Sequence, residues 1–261
     1  MKFTTDFVRS LPKVLLHDHL DGGLRPQTII ELANSSRYDQ LPSKDATQLA
    51  GWFHRNADCG SLPQFLQGFE HTCGVMQTEE ALERVAYEML EDMRKDGVFY
   101  VETRFAPLLH TRRGMYVENV VRAVIRGMEQ GKKDFGVHYG VIFCALRNMS
   151  PDLTDEVARL AVEFRPHGVV GFDLAGEEGG YPPKKHVDAF HYIQRENFNI
   201  TIHAGEAVRL REDGHEYVLL RSDVYDRLAE NGYDDGPWEA EELDRLREES
   251  VAALDKYGKD A

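Results

Sequence analysis

The stretch "TEEALERVAYEMLEDMRKDGVFYVETRF", residues 78–105, contains the pattern that decides the predicted fold. After Thr78, a predicted N-cap, apolar residues recur at helical spacing as far as Gly97, which predicts the end of a helix. The following "VFYVETRF" is rich in β-branched and aromatic residues, which is typical of a strand. A helix that leads directly into a strand is part of a βαβ unit, so a parallel sheet follows if the alternation repeats.

The alternation does repeat. Four further strands are predicted, at "KVLLHDHL", "VHYGVIFCAL", "GVVGFDLAG" and "FNITIHAG", with helical patterns between the later ones. The almost continuous apolar runs "VIFCAL" and "NITIHA" are typical of strands that are covered on both faces. The sequence therefore predicts an α/β fold, namely an incomplete (β/α)₈ barrel of about five βα units.

Residues 24–77 are less regular. One helix is predicted in "RPQTIIELANSS", and "GSLPQFLQGFEHTCGVMQ" is a region of loop and helix rich in Leu and Phe. An apolar insertion after the first strand fits a lid over a site, and packing against the outside of the barrel fits equally well.

The composition changes after Ala207. The segments "VRLRE", "DG" and "HEYVLL" predict a β-hairpin with a two-residue turn, and two acidic helices are predicted to follow. Residues 208–261 carry 16 acidic and 8 basic residues, more than half of the net charge of −14 of the whole chain. We therefore predict two domains: residues 1–207, the barrel part, and residues 208–261, an acidic and unrelated tail.

The composition also excludes several classes of function. The net charge of −14 disfavours binding to nucleic acid or to an anionic membrane. Because the chain has no apolar run of 18 residues and no basic leader, we expect a cytoplasmic protein. The three cysteines are widely spaced without a CxxC pair, so neither a disulfide framework nor a thiolate metal site is indicated.

Three histidines are candidates for a metal site. His17 and His19 are two residues apart on a predicted strand, so both imidazoles project from one face. His203 ends another strand, and Glu206 follows it. Neutral imidazoles bind Zn²⁺, and a nearby carboxylic acid can transfer protons. Each feature alone is also typical of structural hydrogen bonding, but together they favour a catalytic metal site.

Four motifs, "LPKVLLHDHLDGGLRPQTIIELA", "YVETRFAP", "GFDLAGEE" and "TIHAGEA", occur in this order. In them residues 10–207 resemble the adenosine deaminases, which are zinc-dependent members of the amidohydrolase superfamily. The resemblance implies a (β/α)₈ barrel with one zinc ion per chain, bound by His17, His19 and His203. It also implies hydrolytic deamination of adenosine or a related purine at C6, with release of ammonia and with Glu206 as the proton donor.

The same resemblance implies how a purine nucleoside is bound. Asp21 is expected to contact a ribose hydroxyl, and Gly176 is expected to contact the purine through its backbone. A hydrophobic lid is expected at Leu62, Phe65, Leu66 and Phe69. A Leu and Phe stripe at this spacing is also typical of plain core.

The family's site also uses later Gly-His-Gly and Asp-Asp-Pro segments, and neither is in place here. His215 in "DGHEY" follows His203 by only 12 residues, too few for a βαβ unit of roughly 30 residues, so it is predicted in the hairpin. Asp234 and Asp235 in "YDDGPW" are predicted in a loop. We therefore expect a truncated and impaired deaminase. The alternative is a non-catalytic remnant, or a partner-dependent protein that self-associates through unpaired strand edges.

The tail has a resemblance of its own. Its segments "EYVLLRSDVYDRLAE" and "YDDGPW" resemble small bacterial antitoxin-like proteins. A gene fusion, a deletion and a misassembled gene would each produce such a junction, and the sequence does not distinguish them.

Overall fold

The computed structural model describes residues 4–205, 210–212 and 215–217. The chain divides into two compact units, Met1–Leu219 and Leu220–Ala261, and the description below concerns the first. The two predicted acidic helices, Asp234 and Asp235 lie outside the described residues. The predicted domain boundary after residue 207, and the resemblance of the tail to antitoxin-like proteins, stay predictions.

Along the described part, one or more helices separate each strand of the main sheet from the next. The strands of the main sheet are β1 (Lys13–His19), β2 (Val98–Phe105), β3 (His138–Leu146), β4 (Val169–Ala175) and β5 (Asn199–Ile202). The α-helices are α1 (Thr5–Ser10), α2 (Pro26–Ser36), α3 (Ala46–Ala57), α4 (Leu62–Val75), α5 (Glu79–Lys95), α6 (Val117–Phe135), α7 (Pro151–Glu163) and α8 (Val187–Arg195). Short 3₁₀ helices cover Pro107–His110, Arg165–His167 and Pro183–His186.

The five strands form one parallel sheet in the order β1-β2-β3-β4-β5. In a flat sheet, strands spaced by about 4.8 Å would place the first and fifth about 19 Å apart. Instead, Nε2 of His19, at the end of β1, lies 3.0 Å from Nε2 of His203, just after β5. The sheet is therefore curled into a half-barrel, which confirms the predicted incomplete (β/α)₈ fold.

The stretch that opened the sequence analysis folds as predicted. The Thr78 hydroxyl accepts a hydrogen bond of 3.2 Å from the backbone N–H of Ala81, so it caps α5. Gly97 follows the helix at a φ of 82°, a conformation that glycine adopts without a steric penalty. The chain then enters β2 directly.

The main hydrophobic core lies between the outer face of the sheet and the helices. β3 is buried from Gly140 to Ala145, which confirms that it is covered on both faces. β5 is only half-buried because it is the last strand of the described sheet, so the expectation that it is covered on both faces is wrong. β1 exposes Val14 and Leu16 by 49% and 55%. The largest fully buried apolar side chains on this side include Phe105, Phe143, Phe164, Phe172, Leu82, Leu90 and Met128.

Two short strands after the main sheet form the predicted hairpin. β6 (Leu210–Glu212) pairs antiparallel with β7 (His215–Tyr217), and Glu212 is opposite His215. His215 is therefore a hairpin residue, as its distance from His203 in the sequence predicts.

Two helices were not predicted from the sequence. α1 has only six residues. α3 lies in the irregular region, and its N-cap is Asp45, whose carboxylate accepts a hydrogen bond of 2.8 Å from the N–H of Gln48. An aspartate three residues before a glutamine is an N-cap signal that could have identified α3. Within the described part, none of the helices has both the length and the apolar character to cross a membrane.

The packing of α6 against α5 gives a test with a matched control. A Cβ at Gly127 would collide with the backbone carbonyl of Glu83, whereas at Gly51 it would meet only the flexible end of Arg55, at 3.3 Å. Helix propensity favours alanine over glycine by about 1 kcal/mol at either position. We expect Gly127→Ala to lower the free energy of unfolding by about 1–3 kcal/mol, because the two helices must separate. Gly51→Ala should leave the free energy of unfolding unchanged or raise it. Denaturant unfolding would measure the free energy for both variants.

Candidate functional site

Three histidines meet at the carboxyl ends of the strands. His17 and His19 are on β1, and His203 follows β5. The pairing of β1 with β2 has one extra residue between Leu15 and Asp18, which is a β-bulge. Such bulges often redirect a side chain beside an active site, and this one contains His17.

The three rings are close enough to share one ion. The Nε2 atoms of His19 and His203 are 3.0 Å apart, and the ring centre of His17 lies 4.8 Å from that of His203 and 5.4 Å from that of His19. One ligand atom from each of the three residues lies within 4.8 Å of the others. The structure therefore brings together the three histidines named from the sequence, and their role as metal ligands stays a prediction.

The surroundings keep two of these imidazoles neutral. Partial burial, followed by the positive charge of Arg104, lowers the pKa of His17 to about 4. Burial also lowers the pKa of His19, despite the opposing negative charge of Asp21. At neutral pH both rings therefore have a free nitrogen lone pair, which a metal ligand needs.

Asp173, on the inner face of β4, orients His203. Its Oδ2 lies 2.8 Å from Nδ1 of His203, which leaves Nε2 of that ring facing the other histidines. Cys144 donates a hydrogen bond of 3.1 Å to the same oxygen. A carboxylate behind a histidine is the usual support of a metal-binding imidazole, because it fixes the ring and raises its basicity.

Arg104, on the inner face of β2, neutralises Asp173. Its guanidinium lies 3.2 Å from the carboxylate, and both side chains are almost fully buried. Burial raises the pKa of Asp173, but the hydrogen bond and charge of His203 and the charge of Arg104 outweigh it, so the net shift is downward. Asp173 is therefore a carboxylate at neutral pH.

Arg147 holds the segment that carries His203. Its buried guanidinium donates a hydrogen bond to the backbone carbonyl of His203. His186 lies behind it, with Nε2 3.1 Å from the carbonyl of Arg147 and Nδ1 2.8 Å from the hydroxyl of Thr154. This network fixes the position at which His203 leaves the sheet.

A cavity of about 380 Å³ opens beside the histidines. α4 forms one wall, and its Phe69 ring packs edge-on against His19 with ring centres 5.9 Å apart. The apolar residues expected to form the lid therefore face the predicted metal site. The cavity is lined by the three histidines together with Leu62, Phe65, Leu66, Phe69, Phe53, Asn56, Gly176 and neighbouring residues.

The other predicted site residues differ in where they lie. Gly176 lines the cavity at a φ of 91°, and a Cβ there would approach Asn148 to 3.3 Å. Asp21 is buried, 3% exposed, and is not among the residues that line the cavity, so its contact with a ribose hydroxyl stays a prediction. Glu206 lies outside the described residues, and its role stays a prediction as well.

Sequence reasoning did not identify Arg104, Asp173 or Arg147 as part of the site. The signal that could have found the first two is a charged residue at an inner position of a strand that is otherwise apolar, as in "GFDLAG". Phe53 and Asn56 were missed because the helix that carries them, α3, was not predicted.

The donor set fits a zinc ion. Zinc binds imidazole nitrogens at about 2.0–2.1 Å, which separates two nitrogens of a tetrahedral site by roughly 3.3 Å. The 3.0 Å between His19 and His203 is close to this value, and the carboxylate behind His203 adds the support that such ligands receive.

The described geometry agrees with a comparison against protein families. The family model described as "Adenosine deaminase" matches residues 12–212, which is more than half of the chain. The chain belongs to the adenosine deaminase family. The fold is therefore that of a hydrolase family whose members are generally metal-dependent deaminases.

Curated members of the family match along most of this chain. It is 52% identical over 210 residues to adenosine deaminase 1 of Streptomyces coelicolor, covering 78% of this chain and 52% of the relative. It is 49% identical over 212 residues to the adenosine deaminase of Mycobacterium ulcerans, covering 79% and 58%. The chain thus spans only 52–58% of the length of these two relatives.

Solved structures support the same fold. Adenine deaminase from Arthrobacter aurescens is similar with a TM-score of 0.66 and 28% identity, covering 75% of this chain and 58% of that one. An amidohydrolase from Burkholderia ambifaria, described with bound Zn, has a TM-score of 0.67 and 25% identity, covering 78% and 56%.

The carboxylate behind His203 can be tested without any assay of activity. Replacing Asp173 by Asn removes the charge that orients the ring and raises its basicity, so we expect the affinity for zinc to fall by about 10- to 100-fold. Competition with a chromogenic chelator would measure it, with Asp188→Asn, an exposed site on α8, as the matched control. Unchanged affinity in a folded Asp173→Asn protein would contradict the assignment.

Proposed function

We propose that this chain is a zinc-dependent aminohydrolase that deaminates adenosine or a related purine at C6 and releases ammonia. The observation that carries the proposal is the convergence of three imidazoles at the floor of a cavity with an apolar lid. Membership of the adenosine deaminase family supports the reaction class.

In this proposal His17, His19 and His203 hold one zinc ion per chain. A zinc ion bound there would lower the pKa of a coordinated water molecule to about 7. Asp173 keeps His203 in the tautomer that points a lone pair at the ion, because Nδ1 of that ring faces the carboxylate.

The other residues bind and orient the purine. The apolar side chains of α4 cover the base and exclude water, which strengthens electrostatic interactions in the cavity. Gly176 brings the backbone close to the base, since no Cβ intervenes. Glu206 is proposed to donate a proton to a purine ring nitrogen.

The rate is proposed to be lower than that of the longer relatives. The Gly-His-Gly and Asp-Asp-Pro segments that the family's site uses are not in place in this sequence. Each positioned acid or base typically contributes 10² to 10⁴ in rate, so missing groups would lower the rate by several orders of magnitude.

Purine salvage in the cytoplasm is the cellular setting that we propose for this reaction.

Ammonia release from adenosine tests the reaction. We expect turnover by the zinc-loaded chain and none by His203→Ala, because two imidazoles hold the ion too weakly. His138→Ala, on the exposed first residue of β3, is the matched control and should keep the wild-type rate. Equal ammonia release by the wild type and His203→Ala would contradict the proposal. Adenine and AMP, assayed in parallel, would identify the preferred purine.

The lid can be tested by binding alone. Phe69→Ala removes the ring that packs on His19 and lines the cavity. We expect the dissociation constant of inosine, the product of adenosine deamination, to rise about tenfold, which is about 1.4 kcal/mol of lost apolar contact. Calorimetry on the zinc-loaded protein would measure it. Phe99→Ala, at an exposed position on β2, should leave the constant unchanged, and no change in Phe69→Ala would exclude the lid.

Apart from the small-molecule purine, the partner that we propose is a second copy of the chain. β1 and β5 end the described sheet, and β1 exposes Val14 and Leu16. Unpaired edges with apolar side chains favour association through added strands. With a net charge of −14, neither nucleic acid nor a membrane is proposed as a partner.

Light scattering after size exclusion tests this association. We expect a defined oligomer for the wild type and a shift toward monomer for Leu16→Lys, because a charge on the β1 edge opposes strand addition. Leu153→Lys, an exposed leucine on α7, is the control and should leave the mass unchanged. A monodisperse wild-type monomer would contradict the proposal.

A further inference from the structure

A carboxylate in the loop after β4 holds the segment that follows β5. Oε1 of Glu178 accepts a hydrogen bond of 2.9 Å from the backbone N–H of Gly205. Glu178 is two residues after Gly176, which lines the cavity. Gly205 directly precedes Glu206 in the sequence. The bond therefore joins the loop proposed to contact the purine to the segment that leads into the proposed proton donor.

The chain leaves the sheet just before this bond. β5 ends at Ile202, and the N–H of His203 still donates a hydrogen bond of 2.9 Å to the carbonyl of Leu174 on β4. Gly205 has a φ of 78°, a left-handed conformation that glycine adopts without a steric penalty. Because Gly205 lies beyond the end of β5, its N–H bonds to the Glu178 side chain and not to a neighbouring strand.

The loop that carries Glu178 is itself fixed in place. The N–H of Tyr181 donates a hydrogen bond of 3.2 Å to the carbonyl of Glu178, which closes a turn. The guanidinium of Arg147 donates hydrogen bonds to the carbonyls of Tyr181 and His203, so it also joins the two loops. The Glu178 carboxylate therefore starts from a defined position, and it limits how far Gly205 can move.

The contacts that hold this segment act on different residues. Leu174 and Arg147 hold the N–H and the carbonyl of His203, so they fix a histidine of the proposed zinc site. Glu178 acts two residues later, where the chain leads to Glu206. Consecutive Cα atoms are about 3.8 Å apart across a planar peptide, so fixing one residue restricts the position of the next.

We infer that Glu178 is a positioning residue, which sets the place of the proposed proton donor Glu206 relative to the purine. This inference rests on the proposed function. Glu178 is not among the described residues that line the cavity, so it acts through Gly205 and not by contact with the substrate. A proton donor works only within hydrogen-bond reach of its acceptor, and a misplacement of about 1 Å can lower a rate about 100-fold.

Substitutions of Glu178 separate its hydrogen bond from its charge. Glu178→Ala removes both, whereas Glu178→Gln keeps an oxygen that can accept the bond from Gly205. We expect kcat for ammonia release from adenosine to fall about 10- to 100-fold in Glu178→Ala, with KM within about twofold, because a misplaced acid slows the chemical step and leaves the lid intact. Glu178→Gln should keep kcat within about threefold of the wild-type value, because an amide oxygen makes the same bond less strongly.

Glu177→Ala is the matched control, because it removes the same charge from the same loop. It should keep the wild-type kcat and KM. Equal kcat in the wild type and Glu178→Ala would overturn the inference. A Glu178→Gln protein as slow as Glu178→Ala would overturn it as well, since the acceptor oxygen would then have no effect.

Hydrogen exchange at Gly205 tests the contact without any assay of activity. In protein labelled with ¹⁵N-glycine, we expect the N–H of Gly205 to exchange about tenfold faster in Glu178→Ala than in the wild type or Glu178→Gln, because the hydrogen bond protects it. Gly114 is the control, since its N–H bonds to the carbonyl of Thr111 at 2.9 Å, away from this loop. It should exchange at one rate in all three proteins.

The unmutated chain decides the matter even if Glu178→Ala does not fold. A Gly205 N–H that exchanges as fast as an open peptide in the wild type would overturn the inference, whether or not the chain releases ammonia. A protected Gly205 N–H in a chain that releases no ammonia would contradict the proposed function instead, and the contact with Glu178 would stand.

Discussion

The buried ion pair between Arg104 and Asp173 is the interaction on which the rest of the site depends. Arg104 projects from β2 and contacts Asp173 on β4, the hydroxyl of Thr201 on β5 and the carbonyl of Leu16 on β1. One side chain thus links four of the five strands across the inside of the curl. Removing one partner of a buried pair typically costs about 3–5 kcal/mol, because the other charge is left unpaired.

The ion pair also links the fold to the chemistry. Asp173 is held as a carboxylate, and that carboxylate orients His203 toward His19, on the opposite edge of the sheet. Outside the sheet, apolar contacts with the helices provide the main core. Inside, polar contacts set the curvature that brings β1 and β5 together. Electrostatic interactions therefore position the three histidines. Hydrophobic burial stabilises the half-barrel that carries them.

Much of this fold could be predicted from sequence because its signals are local. The cap at Thr78, the stop at Gly97 and the apolar run in β3 each depend on neighbouring residues only. The three histidines could be predicted because parallel strands bring their carboxyl ends to one edge. The roles of Arg104 and Asp173 could not, since their pairing depends on the curl of the sheet. The bulge at His17 depends on the register with β2, which the sequence of β1 alone does not show.

The cysteines also show that contacts between distant parts of the sequence could not be predicted. Their spacing in the sequence gave no indication of which residues they contact, yet Cys73 lies beside Asp21 and His110 once α4 is folded over the end of the sheet. Gln77 and the 3₁₀ helix that ends at His110 bring these residues together through backbone contacts that leave no motif in the sequence.

Anomalous diffraction at the zinc edge, from crystals of the zinc-loaded chain, tests the central claim most directly. An anomalous peak is expected at about 2.0–2.1 Å from one imidazole nitrogen each of His17, His19 and His203, with Asp173 still against the other nitrogen of His203. Fully loaded crystals with no peak between these three rings would contradict it.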